Sequence, residues 1–569
     1  MTNPATDTEP CTEYRLCGSE LLIKLLERQG ITHIIGIPGG ANLPMYDALT
    51  RSTIKHILAR HEQGAGFIAQ GMARATGKAQ VCFASSGPGA SNLVTAVADA
   101  KMDSIPLIAI TGQVHQAMIG TDAFQEIDTF GLMLPITKHN WMVRSAKELL
   151  EVIPQAFEIA LSGRPGPVSI DIPKDVQNQI IEIEQFPEPG VRKMNPIFDI
   201  QQVTRMLEKI RHAERPILMI GGGIIYAGAS KALLQFAEQL DLPTIQTFMG
   251  LGILPSGHPL SLGMLGMHGA PYTNLVLEEC DLVIGMGVRF DDRATGKVAA
   301  FCPKADIVHV DIDHSEIGKI LNPVLSIRAD VGEVLTSANE ILEPSQRPLW
   351  RQRVAQLKEK YPLILNGQDD LFSPYGAIKT VASLLDDSVN ITTDVGQHQM
   401  WVAQVYPFNR PRQWASSGGL GTMGFGLPAA IGMALAQPER KVICFTGDGS
   451  LMMNIQELAT AAEHDLDIKV VILNNNHLGL VRQQQTLFYE KNLSAVKFKQ
   501  EVDFALTARG MGMKGVNLAV SDNPLLDLKS ALLEQGPCVI NIPIAETEMV
   551  FPMVAPGGAN RDMIHGQTA

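Results

Sequence analysis

The chain has 569 residues, 45% of them hydrophobic and 18% charged, with a formal net charge of −13. That length accommodates about three to four domains, and the balance suits a large α/β core. The negative sum speaks against a nucleic-acid or anionic-membrane surface, either of which needs a basic field, and leaves room for small anions at a local site. The seven cysteines show no CxxC pairing and read as reduced intracellular thiols, with neither a zinc site nor a disulfide frame.

In chain order, the opening MTNPATDTEPCTEY is polar and acidic. It lacks the apolar core of a signal peptide and the arginine-rich look of a transit peptide, so a cytoplasmic location is expected. A first block, ending near residue 178, carries THIIGIPGG, QVCFASSGPGASNLVTAVADA and IPLIAITG. Between its first two strands Glu62 opens RHEQGAGFIAQGMAR, a carboxylate at the edge of an alanine- and glycine-rich helix. A proline- and charge-bearing linker, EIEQFPEPGVRKMNP, follows. The middle block, about 195–345, carries RPILMIGGG, CDLVIGMGVRFDD and ADIVHVDID, and the third, about 370–545, carries VNITTDVGQHQMW, KVICFTGDGSLMMN and IKVVILNNN. The longest apolar runs, such as PILMIGGGIIYAGA, are too short and glycine-broken to cross a bilayer.

Apolar runs of four to eight residues that end at glycine turns and give way to helical periodicity predict parallel sheets covered by helices. The fold class is therefore α/β, with three doubly wound parallel-sheet domains. The first and third blocks read as distant copies, strand, glycine turn, helix, strand, at similar spacing. Ligands are expected beyond the carboxyl ends of the strands.

In CFTGDGSLMMN, Asp448 falls just past a buried strand, between Gly447 and Gly449, which let the chain turn tightly. The next helix is expected to begin near Met453, its free N–H groups facing the turn and suiting a phosphate. Asn475 ends the neighbouring strand, and two hard oxygens on adjacent strand ends suit Mg²⁺. Alone, GDGS is an ordinary surface turn; GDG at this distance before NN is far more specific. Here the chain resembles the thiamine diphosphate-dependent enzymes. The resemblance implies that Asp448 and Asn475 bind Mg²⁺ with the carbonyl of His477, whose ring reads as a solvated loop histidine, and that Gly449 and Ser450 meet the cofactor. It implies that Glu62 hydrogen-bonds the aminopyrimidine and stabilises its imino tautomer; a surface glutamate capped or paired with Arg60 is the plain alternative. It further implies an obligate homodimer or a tetramer, each site combining Glu62 with Asp448 and Asn475 of the partner subunit.

From about residue 18 to 556 the chain is most similar to acetohydroxyacid synthase catalytic subunits of the bacterial isozyme I type, through GIPGGANLPMYDAL, GTDAFQE, GRPGPVSIDIPKDV, GMLGMHG, RFDDRATGK, GQHQMW, GGLGTMGFGLPAAIG and LFYE. The implied reaction decarboxylates pyruvate and ligates the two-carbon unit to a second pyruvate or to 2-ketobutyrate, in branched-chain amino acid synthesis. The implied domains are 1–185 for the pyrimidine, 195–345 for FAD, 370–545 for diphosphate and Mg²⁺, and a C-terminal arm, 546–569, over the site. Gly40 and Gln125 join Glu62 as catalytic residues. Gln397, His398, Gly421 and Met423 hold thiamine diphosphate, Met423 as the wedge beneath its bend, and His268, Arg289 and Asp311 hold FAD. Phe124, Lys174, Leu480 and Gln484 face substrate, and Arg293 clamps the second carboxylate, unless it pairs with Asp291 or Asp292. Most relatives place tryptophan at Gln484, so weak discrimination between the two acceptors is expected. A small regulatory subunit is implied. The rival readings are a pyruvate oxidase, sharing thiamine and FAD, and a non-catalytic scaffold.

Overall fold

The computed structural model describes residues 14–195 and 197–566. The N-terminal stretch behind the expected location, and Cys11 with it, lie outside the described residues. Two compact units divide the chain, 14–73 with 78–193, and 74–77 with 194–566.

In the first unit β1 (Tyr14–Cys17) forms an antiparallel pair with β8 (Ile180–Ile183). Between them lie β2 (His33–Gly36), β3 (Lys55–Leu58), β4 (Gln80–Ala84), β5 (Leu107–Gln113), β6 (His139–Met142) and β7 (Val168–Pro173), a six-stranded parallel sheet in the order β3-β2-β4-β5-β7-β6.

The second unit holds two further sheets. The middle one comprises β9 (Pro216–Ile220), β10 (Thr244–Gln246), β11 (Ser261–Met264), β12 (Leu282–Met286), β13 (Asp306–Asp311) and β14 (Leu325–Arg328), ordered β11-β10-β9-β12-β13-β14. That is the dinucleotide-binding order, with strand order reversing between β9 and β12. Alternate residues of β9 enter separate cores: Leu218 and Ile220 pack into one apolar cluster, Ile217 and Met219 into another. Both faces of this sheet are covered, as near-continuous apolar strands require. Helix Pro348–Lys360 belongs to the same layer, since Trp350 Nε1 donates to the Pro216 carbonyl at 3.0 Å.

The third sheet comprises β15 (Asn390–Thr393), β16 (Trp414–Ala415), β17 (Val442–Gly447), β18 (Ile468–Asn474), β19 (Lys514–Asn517) and β20 (Cys538–Pro543), ordered β16-β15-β17-β18-β20-β19. Strand for strand this repeats the first sheet, so the first and third blocks share one topology, with the reversal at β2/β4 and at β15/β17.

Past β20 the chain folds back onto the middle domain. Val554 N donates to Met267 O (2.9 Å), Lys297 N to Gly558 O (2.8 Å) and Asn560 Nδ2 to Ala294 O (2.8 Å). The six described cysteines carry free thiols, five of them buried. Among the described residues no helix is long and apolar enough to cross a membrane.

Candidate active site

One candidate site lies at the carboxyl ends of β15, β17 and β18. β15 leads through a short turn into helix Gln397–Val405, and β17 leads directly into the four-residue helix Asp448–Leu451. The helix expected near Met453 thus starts five residues earlier, and helical chain resumes only at Glu457. Side chains explain the break. Gly447 N donates to Ser450 Oγ (3.3 Å), tightening the first turn, and Asn454 Nδ2 donates to Gly424 O (2.8 Å), drawing the chain away.

One cavity here is lined by nine of the expected residues: Gln397, His398, Met423, Asp448, Gly449, Ser450, Asn475, His477 and Leu480. Asp448 is 5% exposed; its Oδ1 accepts from Gly449 N (2.9 Å), and its buried Oδ2 has no hydrogen-bond partner. Burial pushes this carboxyl up to about 6. Asn475 directs Oδ1 to His477 N (3.1 Å) and Nδ2 to Gln397 Oε1 (3.2 Å). The His398 ring is buried, its Nε2 likewise lacking a partner, and burial pushes it down to about 3, so it is neutral at pH 7. An orphaned carboxylate oxygen beside an amide oxygen fits Mg²⁺, which takes hard oxygens and keeps phosphate oxygens in its other positions. Among the described residues no cluster of three histidine, cysteine or acidic side chains that could hold a metal occurs.

His477 corrects an expectation. Its ring is 4% exposed rather than solvated, with Nδ1 2.9 Å from Asn475 O. Gln397 is also placed differently from a simple cofactor contact. Its amide is engaged by Asn475, Gln483 and the Glu548 carbonyl, which leaves the main-chain N–H groups at the start of its helix to face an anion. Gly421 (φ +71°) is exposed and lies outside the cavity lining. The half-buried Gln484 is also outside it, on helix Gly479–Phe488.

Asp394 went unread in the sequence. This fully buried carboxylate, pushed up to about 6 by burial, accepts from Val395 N (2.8 Å), Gly424 N (2.7 Å) and Gly426 N (3.2 Å). It thereby fixes the loop behind Met423. Its signal was available, since TTDVG puts an aspartate just past a strand as FTGDG does.

In the middle domain the glycine turn after β9 packs on Gly287, which follows β12. Gly223 N donates to Gly287 O (3.2 Å), and a Cβ on Gly223 would stand 2.6 Å from Gly287 Cα. Arg289 and Asp311 stand beyond β12 and at the end of β13, next to this reversal. Arg289 lies 4.0 Å from Asp291 Oδ2, and Asp311 Oδ1 accepts from Asp313 N (2.8 Å). A guanidinium and a carboxylate on neighbouring strand ends of a 3-2-1-4-5-6 sheet fit the phosphates and hydroxyls of a flavin nucleotide. His268 is buried with Nδ1 3.0 Å from Pro552 O, and burial pushes it down to about 4. Arg293 Nε lies 3.6 Å from Asp292 Oδ2, the competing assignment, while its side chain stays 64% exposed. Asp291 instead caps the helix, accepting from Arg293 N and Ala294 N at 3.1 Å.

In the first unit Glu62 is the first residue of helix Glu62–Thr76, half-buried, with Oε2 accepting from Asn92 Nδ2 (2.9 Å). A Cβ on Gly89 would come 3.4 Å from its Oε1, so the carboxylate sits over the turn after β4. Gly40, after β2, is exposed, with nothing within 4 Å of a Cβ there. Gln125 is exposed at φ +60° and packs its main chain over Gly87 of the same turn. Phe124 beside it is 87% exposed. Three expected residues thus ring the β2/β4 reversal. Half-buried Lys174 begins the helix after β7, apart from them in the sheet order.

Three family models match the chain. They are the thiamine pyrophosphate enzyme N-terminal TPP binding domain over residues 17–132, central domain over 203–338 and C-terminal TPP binding domain over 394–542. The chain is 55% identical over 554 residues to the acetolactate synthase isozyme 1 large subunit of Escherichia coli (strain K12), covering 97% of this chain and 98% of that protein. It is 46% identical over 565 residues to the acetolactate synthase large subunit of Parasynechococcus marenigrum, covering 96% and 91%. Against the isozyme 2 large subunit of E. coli the identity is 42% over 552 residues, covering 96% and 99%.

Proposed function

The chain belongs to the acetolactate synthase large subunits of the thiamine pyrophosphate enzyme family, and from that membership we propose how its residues divide the reaction between pyruvate and a second 2-ketoacid. Thiamine diphosphate, when bound, supplies the nucleophilic carbon and the electron sink for decarboxylation and ligation. Asp448, Asn475 and the His477 carbonyl hold Mg²⁺. Gly449, Ser450, His398 and the first N–H groups of helix Gln397–Val405 would meet the diphosphate, with Gly421 at the loop's outer end and Met423 as the apolar residue against the cofactor. The observation that carries this assignment is the buried, unpartnered Oδ2 of Asp448 beside the Asn475 amide.

Glu62 holds a proton at the aminopyrimidine, and its seat over the β4 turn excludes water from one side. Gly40 N–H and Gln125 face the developing oxyanion. Arg293, exposed and held only by a loose 3.6 Å contact with Asp292, clamps the carboxylate of the acceptor by paired hydrogen bonds. Phe124, Lys174, Leu480 and Gln484 bound the acceptor. Arg289, Asp311 and His268 hold FAD in the middle domain. The acceptor is pyruvate or 2-ketobutyrate, and the active form is a homodimer or tetramer in the cytoplasm. Exposed Leu420, Met452, Met453 and Val481 near the cavity support a second copy there. The relatives' names as large subunits support a small regulatory partner.

A product assay tests the reading. With pyruvate, Mg²⁺ and thiamine diphosphate the expected product is 2-acetolactate, converted to acetoin by acid, and added 2-ketobutyrate yields 2-aceto-2-hydroxybutyrate. Acetate with flavin reduction would instead identify an oxidase.

A further inference from the structure

Behind the Mg²⁺ ligands runs a chain of buried amides that ends on the main chain of the C-terminal arm. Asn475 Nδ2 donates to Gln397 Oε1 at 3.2 Å, and Gln397 Nε2 donates to Gln483 Oε1 at 3.0 Å and to Glu548 O at 2.9 Å. Gln483 Nε2 donates to Val550 O at 2.9 Å, while its Oε1 accepts from Val550 N at 2.8 Å. Gln483 and Val550 are fully buried and Gln397 is 4% exposed, so water does not substitute for these partners.

A side-chain amide is nearly symmetric in shape, and its partners alone decide which end presents oxygen. A main-chain N–H and C=O cannot exchange roles. Val550 therefore fixes Gln483, oxygen toward its N–H and nitrogen toward its carbonyl. Gln397 must then offer Nε2 to Gln483 Oε1, and the Glu548 carbonyl demands the same. Its own Oε1 is left for Asn475, which has to answer with Nδ2. The end of Asn475 that remains, Oδ1, accepts from His477 N at 3.1 Å, a second main-chain group that favours the same orientation, and its other lone pair is the oxygen a cation requires. Turning Asn475 over would aim an N–H₂ at the cation and set two buried oxygens against each other. Gly479 keeps the passage open, because a Cβ there would fall on Gln397 Oε1 and lie 2.7 Å from Asn475 Nδ2.

We infer that Gln397 and Gln483 are positioning residues through which the C-terminal arm, together with the His477 N–H, sets the polarity of the Asn475 amide. Cation binding and docking of residues 548–550 are then coupled, and by linkage each strengthens the other equally. The inference rests on the proposed role of Asp448 and Asn475 as Mg²⁺ ligands.

The test uses the full chain stripped of cofactors, with Mg²⁺ titrated at fixed thiamine diphosphate and binding followed by calorimetry. Gln397→Leu and Gln483→Leu are each made with Asn475 and with Asn475→Asp, whose carboxylate presents oxygen whichever way it turns. With Asn475, each leucine variant is expected to weaken Mg²⁺ about tenfold, the scale of one buried hydrogen bond lost. With Asn475→Asp the same substitutions are expected to change it by less than about twofold. Equal losses in both backgrounds mark a merely structural role and overturn the inference, as does no loss in either. Amide exchange over 548–554 of the unaltered chain is a second readout that needs no variant to fold. Mg²⁺ with thiamine diphosphate is expected to slow it about tenfold, and unchanged exchange overturns the coupling. If the unaltered chain binds thiamine diphosphate equally with and without Mg²⁺, the ligand assignment itself fails, a result distinct from any of these.

Discussion

The first and third sheets share one strand order, and both place their functional side chains at the carboxyl ends where that order reverses, yet they carry opposite equipment. The β2/β4 end presents one half-buried acid, Glu62, held by an asparagine, beside an open glycine main chain and a left-handed, exposed Gln125. The β15/β17 end presents a carboxylate and an amide with oxygens turned to a cavity, a neutral histidine and the start of a nine-residue helix. The comparison teaches that topology decides where a site forms and that the few residues past each strand decide what it holds. The end proposed to handle a proton is open to solvent on one side. The end proposed to hold the cation is buried, where desolvation would strengthen its attraction for the ion.

The sharpest way to break this contrast is Glu62→Gln. Turnover is expected to fall by at least about 10²-fold, the ordinary range for losing a positioned acid, while calorimetric affinity for Mg²⁺ and thiamine diphosphate stays within a few-fold. Comparable losses of both would mean that Glu62 also serves the binding end. Asp448→Asn should do the reverse, abolishing the Mg²⁺ dependence of cofactor binding. In the unaltered chain Mg²⁺ affinity is expected to be level above pH 6. It should fall about tenfold per unit below, because the buried carboxyl at about 6 must lose its proton to bind the ion.

Of the nine strands read from the sequence, β2, β4 and β5, β9, β12 and β13, and β15, β17 and β18, each trio is contiguous within its sheet. These middle strands are buried on both faces, and most show as apolar runs; β15 (NITT) and β13 (DIVHVD) are interrupted by polar residues. Flanking strands such as β3, with an exposed lysine and leucine, and the two-residue β16 give no such signal. The positions of the proposed ligand pair, Asp448 and Asn475, at strand ends were legible because both follow such runs. Asp394 shows the same position just past a strand, but its role depends on N–H groups 30 and 32 residues away, which no local pattern reports.

Asp394 supplies a smaller effect. Asp394→Asn should cost about 1–3 kcal/mol in denaturant unfolding, since an amide oxygen cannot satisfy three N–H groups. Asp394 and Asp448 both rise from 3.8 to about 6 on burial, so between these values the folded chain holds protons that the unfolded chain has released. Stability of the metal-free chain should therefore decline as pH rises from about 4 to about 6, with the decline reduced in Asp394→Asn. The smallest expected effect is at the acceptor. Gln484→Trp adds an apolar edge that should favour 2-ketobutyrate over pyruvate by about tenfold in competition, some ~1–2 kcal/mol.

The amino-acid order alone determined the three sheets, the strand ends that carry function and the residue types placed there, because apolar runs and glycine turns are local and report burial directly. Tertiary structure alone decided which of those side chains keep a free oxygen or nitrogen. Gln397 is spent on its neighbours, the His477 ring is buried, Arg293 leans on Asp292, and the C-terminal arm lies docked on the middle domain. A polar contact is settled by whichever partner the fold brings close, 2.9 Å for the Gln397 and Val554 hydrogen bonds and 3.6 Å for Arg293 on Asp292, and for these groups that partner stands between one and some 290 residues away along the chain.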